Sequence, residues 1–166
     1  EASLALCRQV GDRSGEATSL SNLGVMALDQ LEYAAGRQYL EESLAVRREL
    51  GDQAGIAYLL DSLGWAAGLQ SDLTSARELL WASLVIRRSL SDKWGLAYSF
   101  DGLGWVACAE GDHASALLHY RESLRLFREL GHSWRIAGAV ANLAGPAIGY
   151  GQWQRAAHLL GAAESL

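Results

Sequence analysis

The chain repeats itself every 40 residues. Cut at 1–40, 41–80, 81–120 and 121–160, its four blocks align without a gap. The second and third share 17 of 40 positions. Ser3, Ser43, Ser83 and Ser123 fall in one column, each followed by Leu. Arg8, Arg48, Arg88 and Arg128 fall in another, as do Leu23, Leu63, Leu103 and Leu143. Gly24, Gly64 and Gly104 align, with Ala144 in the fourth block. Gly11-Asp12 recurs as Gly51-Asp52 and Ser91-Asp92, then becomes Gly131-His132. A fixed period of this length is the mark of a repeat architecture, in which one supersecondary unit stacks on copies of itself.

Each block carries two helical patterns. In the second, Leu60, Leu63 and Ala67 lie at i, i+3 and i+7, one face of a helix. A break follows at Gln70-Ser71-Asp72. Ala76, Leu79, Leu80, Ser83, Leu84 and Ile86 then form a second stripe that ends near Ser91-Asp92. No strand-like alternation occurs. The pattern predicts helices over about 14–30, 33–50, 54–69, 73–90, 94–109, 113–130, 134–149 and 153–165. Residues 1–10 read as the second helix of a truncated repeat. Pro146, between Gly145 and Gly149, predicts a kink or break near 142–146. The whole, residues 1–166, reads as one all-α domain of antiparallel helix pairs.

These columns resemble the tetratricopeptide repeat (TPR). The motif runs Leu60, Leu63-Gly64, Ala67, Ala76, Leu80, Ser83. It runs again as Phe100, Leu103-Gly104, Ala107, Ala116, Tyr120, Ser123, and in the first block as Leu20, Leu23-Gly24, Ala27, Gly36, Leu40, Ser43. The period of 40 exceeds the family's usual ~34, and Arg stands where the family often has Pro near the end of the second helix. The resemblance implies a right-handed superhelical solenoid whose first helices line a concave, ligand-binding surface. The tail GQWQRAAHLLGAAESL is similar to the TPR region of large bacterial signalling ATPases and LuxR- or AfsR-like transcriptional regulators. That implies a sensor or interaction segment of a larger cytoplasmic regulator.

One eight-residue stretch is written twice. YLLDSLGW at 58–65 returns as YSFDGLGW at 98–105. Tyr58, Asp61 and Trp65 share one helix face. Leu60, Leu63, Gly64 and Ala67 take the packing side, so the triad is expected in the groove, with Tyr98, Asp101 and Trp105 one helix along. The flanking blocks hold Thr18, Ser21 and Val25, then Gly138, Ala141 and Gly145, in the same columns. Aromatic faces beside carboxylates favour cations, and Tyr and Trp dominate interface hot spots. The expected partner is a protein or peptide segment, basic or aromatic, or a small organic cation. The competing reading is structural: Trp65 and Trp105 fill space between first helices while the Asp residues cap or pair with Arg. Asn22 and Asn142 either reach the groove or satisfy backbone.

Other functions find no support. The formal charge of −5 argues against a nucleic-acid surface. No apolar run is long enough for a membrane span and no signal peptide is visible, although the chain begins at Glu1. Cys7 and Cys108 form no paired motif and read as buried thiols of a reducing compartment. No catalytic motif is present, and His113, His119, His132 and His158 never fall at i, i+4, so neither metal nor cofactor is expected. Arg47-Arg48 and Arg87-Arg88 read as a solvated face complementing the helix dipole. A second functional reading is self-assembly to a homo-oligomer, through uncapped solenoid ends that include Leu159 and Leu160.

Overall fold

The structure, a computed structural model, describes residues 2–165. Ten helices follow one another among the described residues: α1 (Ala2–Val10), α2 (Arg13–Asp29), α3 (Tyr33–Glu49), α4 (Gln53–Leu69), α5 (Leu73–Ser89), α6 (Lys93–Ala109), α7 (His113–Leu130), α8 (Ser133–Asn142), α9 (Ala144–Gly149) and α10 (Trp153–Glu164). The expected kink falls at Leu143. Pro146 has no amide to donate to Asn142, four residues back. The chain therefore closes α8 with a Leu143 N–H to Val140 C=O bond of 3.2 Å and restarts with Pro146 in the first turn of α9.

The corners between helices follow one design at a 20-residue spacing, half the sequence repeat. Gly11, Leu31, Gly51, Ser71, Ser91, Gly111, Gly131 and Gly151 all have left-handed φ, from 55° to 80°. At each, the next residue's N–H reaches the carbonyl five back, as in Asp52 to Arg47 at 3.0 Å, and the left-handed residue's own N–H reaches three back, as in Gly51 to Arg48 at 3.1 Å. This is the Schellman arrangement. The residue that closes it is also the N-cap of the next helix. Asp12, Asp52, Asp72, Asp92 and Asp112 accept the N–H of the residue three further on at 2.9–3.1 Å. Glu32, His132 and Gln152 hold the same place with no side-chain cap bond among the described residues. Two or three non-helical residues thus suffice to end one helix and start the next.

The helix pairs close on small residues. A Cβ on Gly24 would lie 2.7 Å from Leu40 Cγ, and one on Gly104 would lie 2.7 Å from the Tyr120 ring. Ala76 and Ala116 are completely buried. The serine column does more than stay small. Ser43 Oγ donates to the Ala17 carbonyl at 2.7 Å and Ser83 Oγ to the Ala57 carbonyl at 2.8 Å, pinning second helix to first. Ser123, equally buried, has no hydrogen-bond partner for its hydroxyl among the described residues.

The chain divides into two compact units, Glu1–Ile86 and Arg87–Leu166, where the repeat pattern alone suggests a continuous domain. The divide lies inside α5. In the first unit Leu4, Ala17, Leu20 and Val46 form one cluster, and Leu40, Leu44, Ile56, Leu59, Leu60 and Leu63 another. In the second, Ala97, Leu124, Leu126 and Phe127 pack against Ala139 and Val140 of α8. Among the described residues no helix is long and apolar enough to cross a membrane.

Candidate functional site

In the first unit, α2 and α4 present Asn22 and Tyr58 to solvent; Tyr58 is 47% exposed. They border a cleft of about 370 Å³ that Thr18, Ser21, Arg47 and Asp52 also line. Arg47 organises its edge. Its Nη1 donates to Asp52 Oδ2 at 2.6 Å and its Nη2 to Thr18 Oγ1 at 2.9 Å. The Gly55 amide and the Arg47 guanidinium hold the Asp52 carboxyl below its usual range, against the opposing effect of burial. The cleft offers hydroxyl, amide and phenol groups at its mouth, with its charges already compensated.

The other two members of the triad lie deeper. Asp61 is only 8% exposed and Trp65 is half-buried. Burial therefore rises along the face from Tyr58 to Asp61, and the phenol is the accessible member.

The arginine pairs correct the sequence reading. Arg48 and Arg88 are exposed, but the side chains of Arg47 and Arg87 are only 18% and 10% exposed and pair with Asp52 and Asp92, each at 2.6 Å. Their stems lie over the first turn of the next helix. A Cβ on Gly55 would meet the cap carboxylate Asp52 Oδ2 at 2.5 Å and Arg47 Cδ at 2.7 Å, so cap and arginine stem together leave room only for Gly there. Arg, N-cap Asp and Gly thus form one device, and their joint recurrence at 47/52/55 and 87/92/95 was the signal that could have revealed it. The fourth repeat exchanges all three, to Phe127, His132 and Arg135.

That exchange reshapes the second unit. Arg135, on α8, places its guanidinium carbon 4.1 Å from the centre of the Tyr98 ring and 4.9 Å from that of Phe127. Trp94 meets Tyr98, Phe127 and His132 edge-on, with centroids 5.2, 5.6 and 4.5 Å away. Asp101 is partly buried, and Asn142 Nδ2 donates to its Oδ1 at 2.7 Å. Burial raises the Asp101 carboxyl above the usual range, although the Asn142 bond and the Arg135 charge pull it down. Asn142 therefore serves a side chain rather than backbone, and Tyr98 already faces a cation from its own chain. Trp105 is half-buried and packs beside Ala107, Ala116 and Tyr120. Arg135 was not among the residues singled out from sequence; the loss of Gly from its column was the available cue.

Repeated antiparallel helix pairs, joined by corners of one backbone design and closed on Gly, Ala and Ser columns, define an all-α helical-repeat scaffold. Residues 15–84 match the family model described as "Tetratricopeptide repeat", and the fold is an all-α TPR-like repeat of stacked antiparallel helix pairs. Its fold is similar to that of BtubC (BKLC) from P. vanneervenii, with a TM-score of 0.80 at 15% identity over 92% of this chain. The chain spans 63% of that protein's length. It is also similar to a putative kinesin light chain with nearly identical TPR-like repeats from Podosopora anserina (TM-score 0.74, 16% identity, 98% of this chain and 80% of that one). A third similar structure is the MamA protein (TM-score 0.64, 17% identity, 98% and 86%). No curated protein sequence matches the chain. TPR modules typically bind proteins or peptides and are generally non-catalytic.

Proposed function

We propose that the chain is a peptide-binding scaffold, an interaction or sensor segment of a larger cytoplasmic bacterial regulator. The single observation that carries the binding reading is the cleft between α2 and α4. Tyr58, expected from sequence on the groove face of its helix, and Asn22, one position past the Asp61 column, are both exposed and both line its walls. A carboxamide can donate and accept to an extended backbone at once. An exposed phenol supplies a rigid apolar surface with a polar tip. The second unit presents its own set, Tyr98, Asp101 and Trp105 with Asn142, and Asp61 and Trp65 lie beneath Tyr58 on the same helix face. The regulator assignment is supported by the tail sequence.

The test is selection of short peptides from a display library, followed by titration against variants. Tyr58→Ala and Asn22→Ala should each weaken the selected peptides by about tenfold, roughly 1.4 kcal/mol, with helicity and mass in solution unchanged. Selected peptides that bind both variants as tightly as the parent chain would remove this cleft from consideration. A change in oligomer size on substitution would point instead to self-assembly.

A further inference from the structure

The second unit holds a cation in an aromatic box. The Arg135 guanidinium carbon lies 4.1 and 4.9 Å from the ring centres of Tyr98 and Phe127, on which Trp94 closes; its neighbour on α8, the exposed Trp134, lies 4.9 Å away. Guanidinium suits such a box better than ammonium, because it is planar, weakly hydrated and stacks on rings. Yet the box holds this one incompletely. Arg135 Nε is buried without a hydrogen-bond partner among the described residues, although arginine normally seeks forked acceptors. Asp101, whose carboxyl responds to the Arg135 charge, gives an oxygen to Asn142 instead.

The element that delivers Arg135 is the least secured of the first-position helices. Helix α8 has ten residues, where α2, α4 and α6 have 17 each. Its cap position holds His132, with no side-chain cap bond among the described residues, and it ends at the Leu143 break. A helix this short depends on tertiary contacts for its persistence. Arg135 also stands in the column that is Gly15, Gly55 and Gly95 elsewhere, so the box is filled only because this repeat departs from the pattern.

We propose that the Tyr98–Phe127 face, closed by Trp94, is a receptor for a guanidinium group. Arg135 fills it as an internal stand-in, and an arginine side chain of a partner peptide takes its place when α8 shifts. This deepens the peptide-binding reading by naming a side chain and a means of regulation, but it concerns the second unit alone. An internal occupant lowers the apparent affinity for an external one by the fraction of time the box is free.

The experiment titrates the whole chain with capped Gly-Arg-Gly, Gly-Lys-Gly and Gly-norleucine-Gly peptides. The readout is the NMR shifts of the Trp94 and Trp134 indoles. Arg135→Gly and Arg135→Gln should each bind the arginine peptide at least about tenfold more tightly than the parent chain, consistent with release of an internal competitor. The lysine peptide should bind more weakly and the norleucine peptide not at all. Adding Tyr98→Leu to either variant should remove the gain. Arg135→Gln keeps most of the side-chain volume and supplies the answer should Arg135→Gly not fold. Equal affinities of parent and variants, or no preference for arginine over lysine, overturn the proposal. Because Asn22 and Tyr58 are untouched, that result leaves the cleft of the first unit unaffected.

Discussion

Exchanging the residues at two corners should move stability in opposite directions. Leu31 and Gly51 occupy the same corner position twenty residues apart, with φ of 64° and 67°. An L-residue there costs about 1–2 kcal/mol relative to right-handed backbone, whereas Gly enters freely. Leu31 is 70% exposed, so removing its side chain sacrifices little burial. Leu31→Gly relieves the strain but loosens the unfolded chain by about 0.5–1 kcal/mol, leaving a net gain of roughly 0.5–1 kcal/mol. Gly51→Ala runs the other way. A Cβ there would meet no described atom within 4 Å, so no clash contributes, and the backbone alone should cost roughly 0.5–1 kcal/mol. The two variants should differ by about 1–2 kcal/mol, or roughly 3–6 °C in midpoint for a chain of this size. Both lie in the first unit, so one transition followed by far-ultraviolet circular dichroism reports both. Gly51→Ala matching or exceeding Leu31→Gly in stability would refute the strain account of the corners.

Three further results are expected. Asp52→Ala removes both a cap and the Arg47 partner, and should cost about 1–2 kcal/mol in urea unfolding. Because the Asp52 carboxyl is held low in the folded state, first by the Gly55 amide, its contribution is complete above the unfolded carboxylate pKa of ~3.9 and is lost as pH falls through the folded value. The parent's urea midpoint should therefore drop more steeply below about pH 4 than the variant's. Gly104→Ala drives a methyl to 2.7 Å from the Tyr120 ring and should destabilise by about 1–3 kcal/mol despite its better helix propensity; an unchanged melting curve would show that the ring yields freely. Ser43→Ala should cost about 1 kcal/mol through the lost bond to Ala17, while Ser123→Ala, whose hydroxyl makes no such bond, should be neutral or stabilising. Equal losses in the two would contradict the assigned role of the serine column.

Helix positions were legible from sequence because apolar periodicity and the Gly/Ser-Asp pairs act locally. The 20-residue spacing of the corners was not, since Leu31, Ser71 and Ser91 conceal it; side-chain identity says little about φ when the penalty is only ~1–2 kcal/mol. The face shared by Tyr58 and Asp61 followed from helix geometry, but their different burial depends on what packs across from them. Arg47 and Arg87 look like surface residues because their partners Asp52 and Asp92 lie beyond the end of the helix, outside any pattern of helical spacing. Arg135 was harder still. Its partners Tyr98 and Phe127 come from two other helices, and only a missing Gly marked the place.

The corners recur every 20 residues, while the chemistry of the columns recurs every 40. A corner therefore carries no parity: its backbone is the same whether the helix that follows is to carry the glycine column or the serine column. Duplicating a 40-residue cassette such as 52–91 would reproduce a Schellman junction at each end and keep every column in phase. Inserting a single 20-residue helix would satisfy the junctions equally well, yet would set serine where glycine is required in every helix beyond it. Lengthening by duplication is thus open to this chain only in even steps, and it is the side chains that count them.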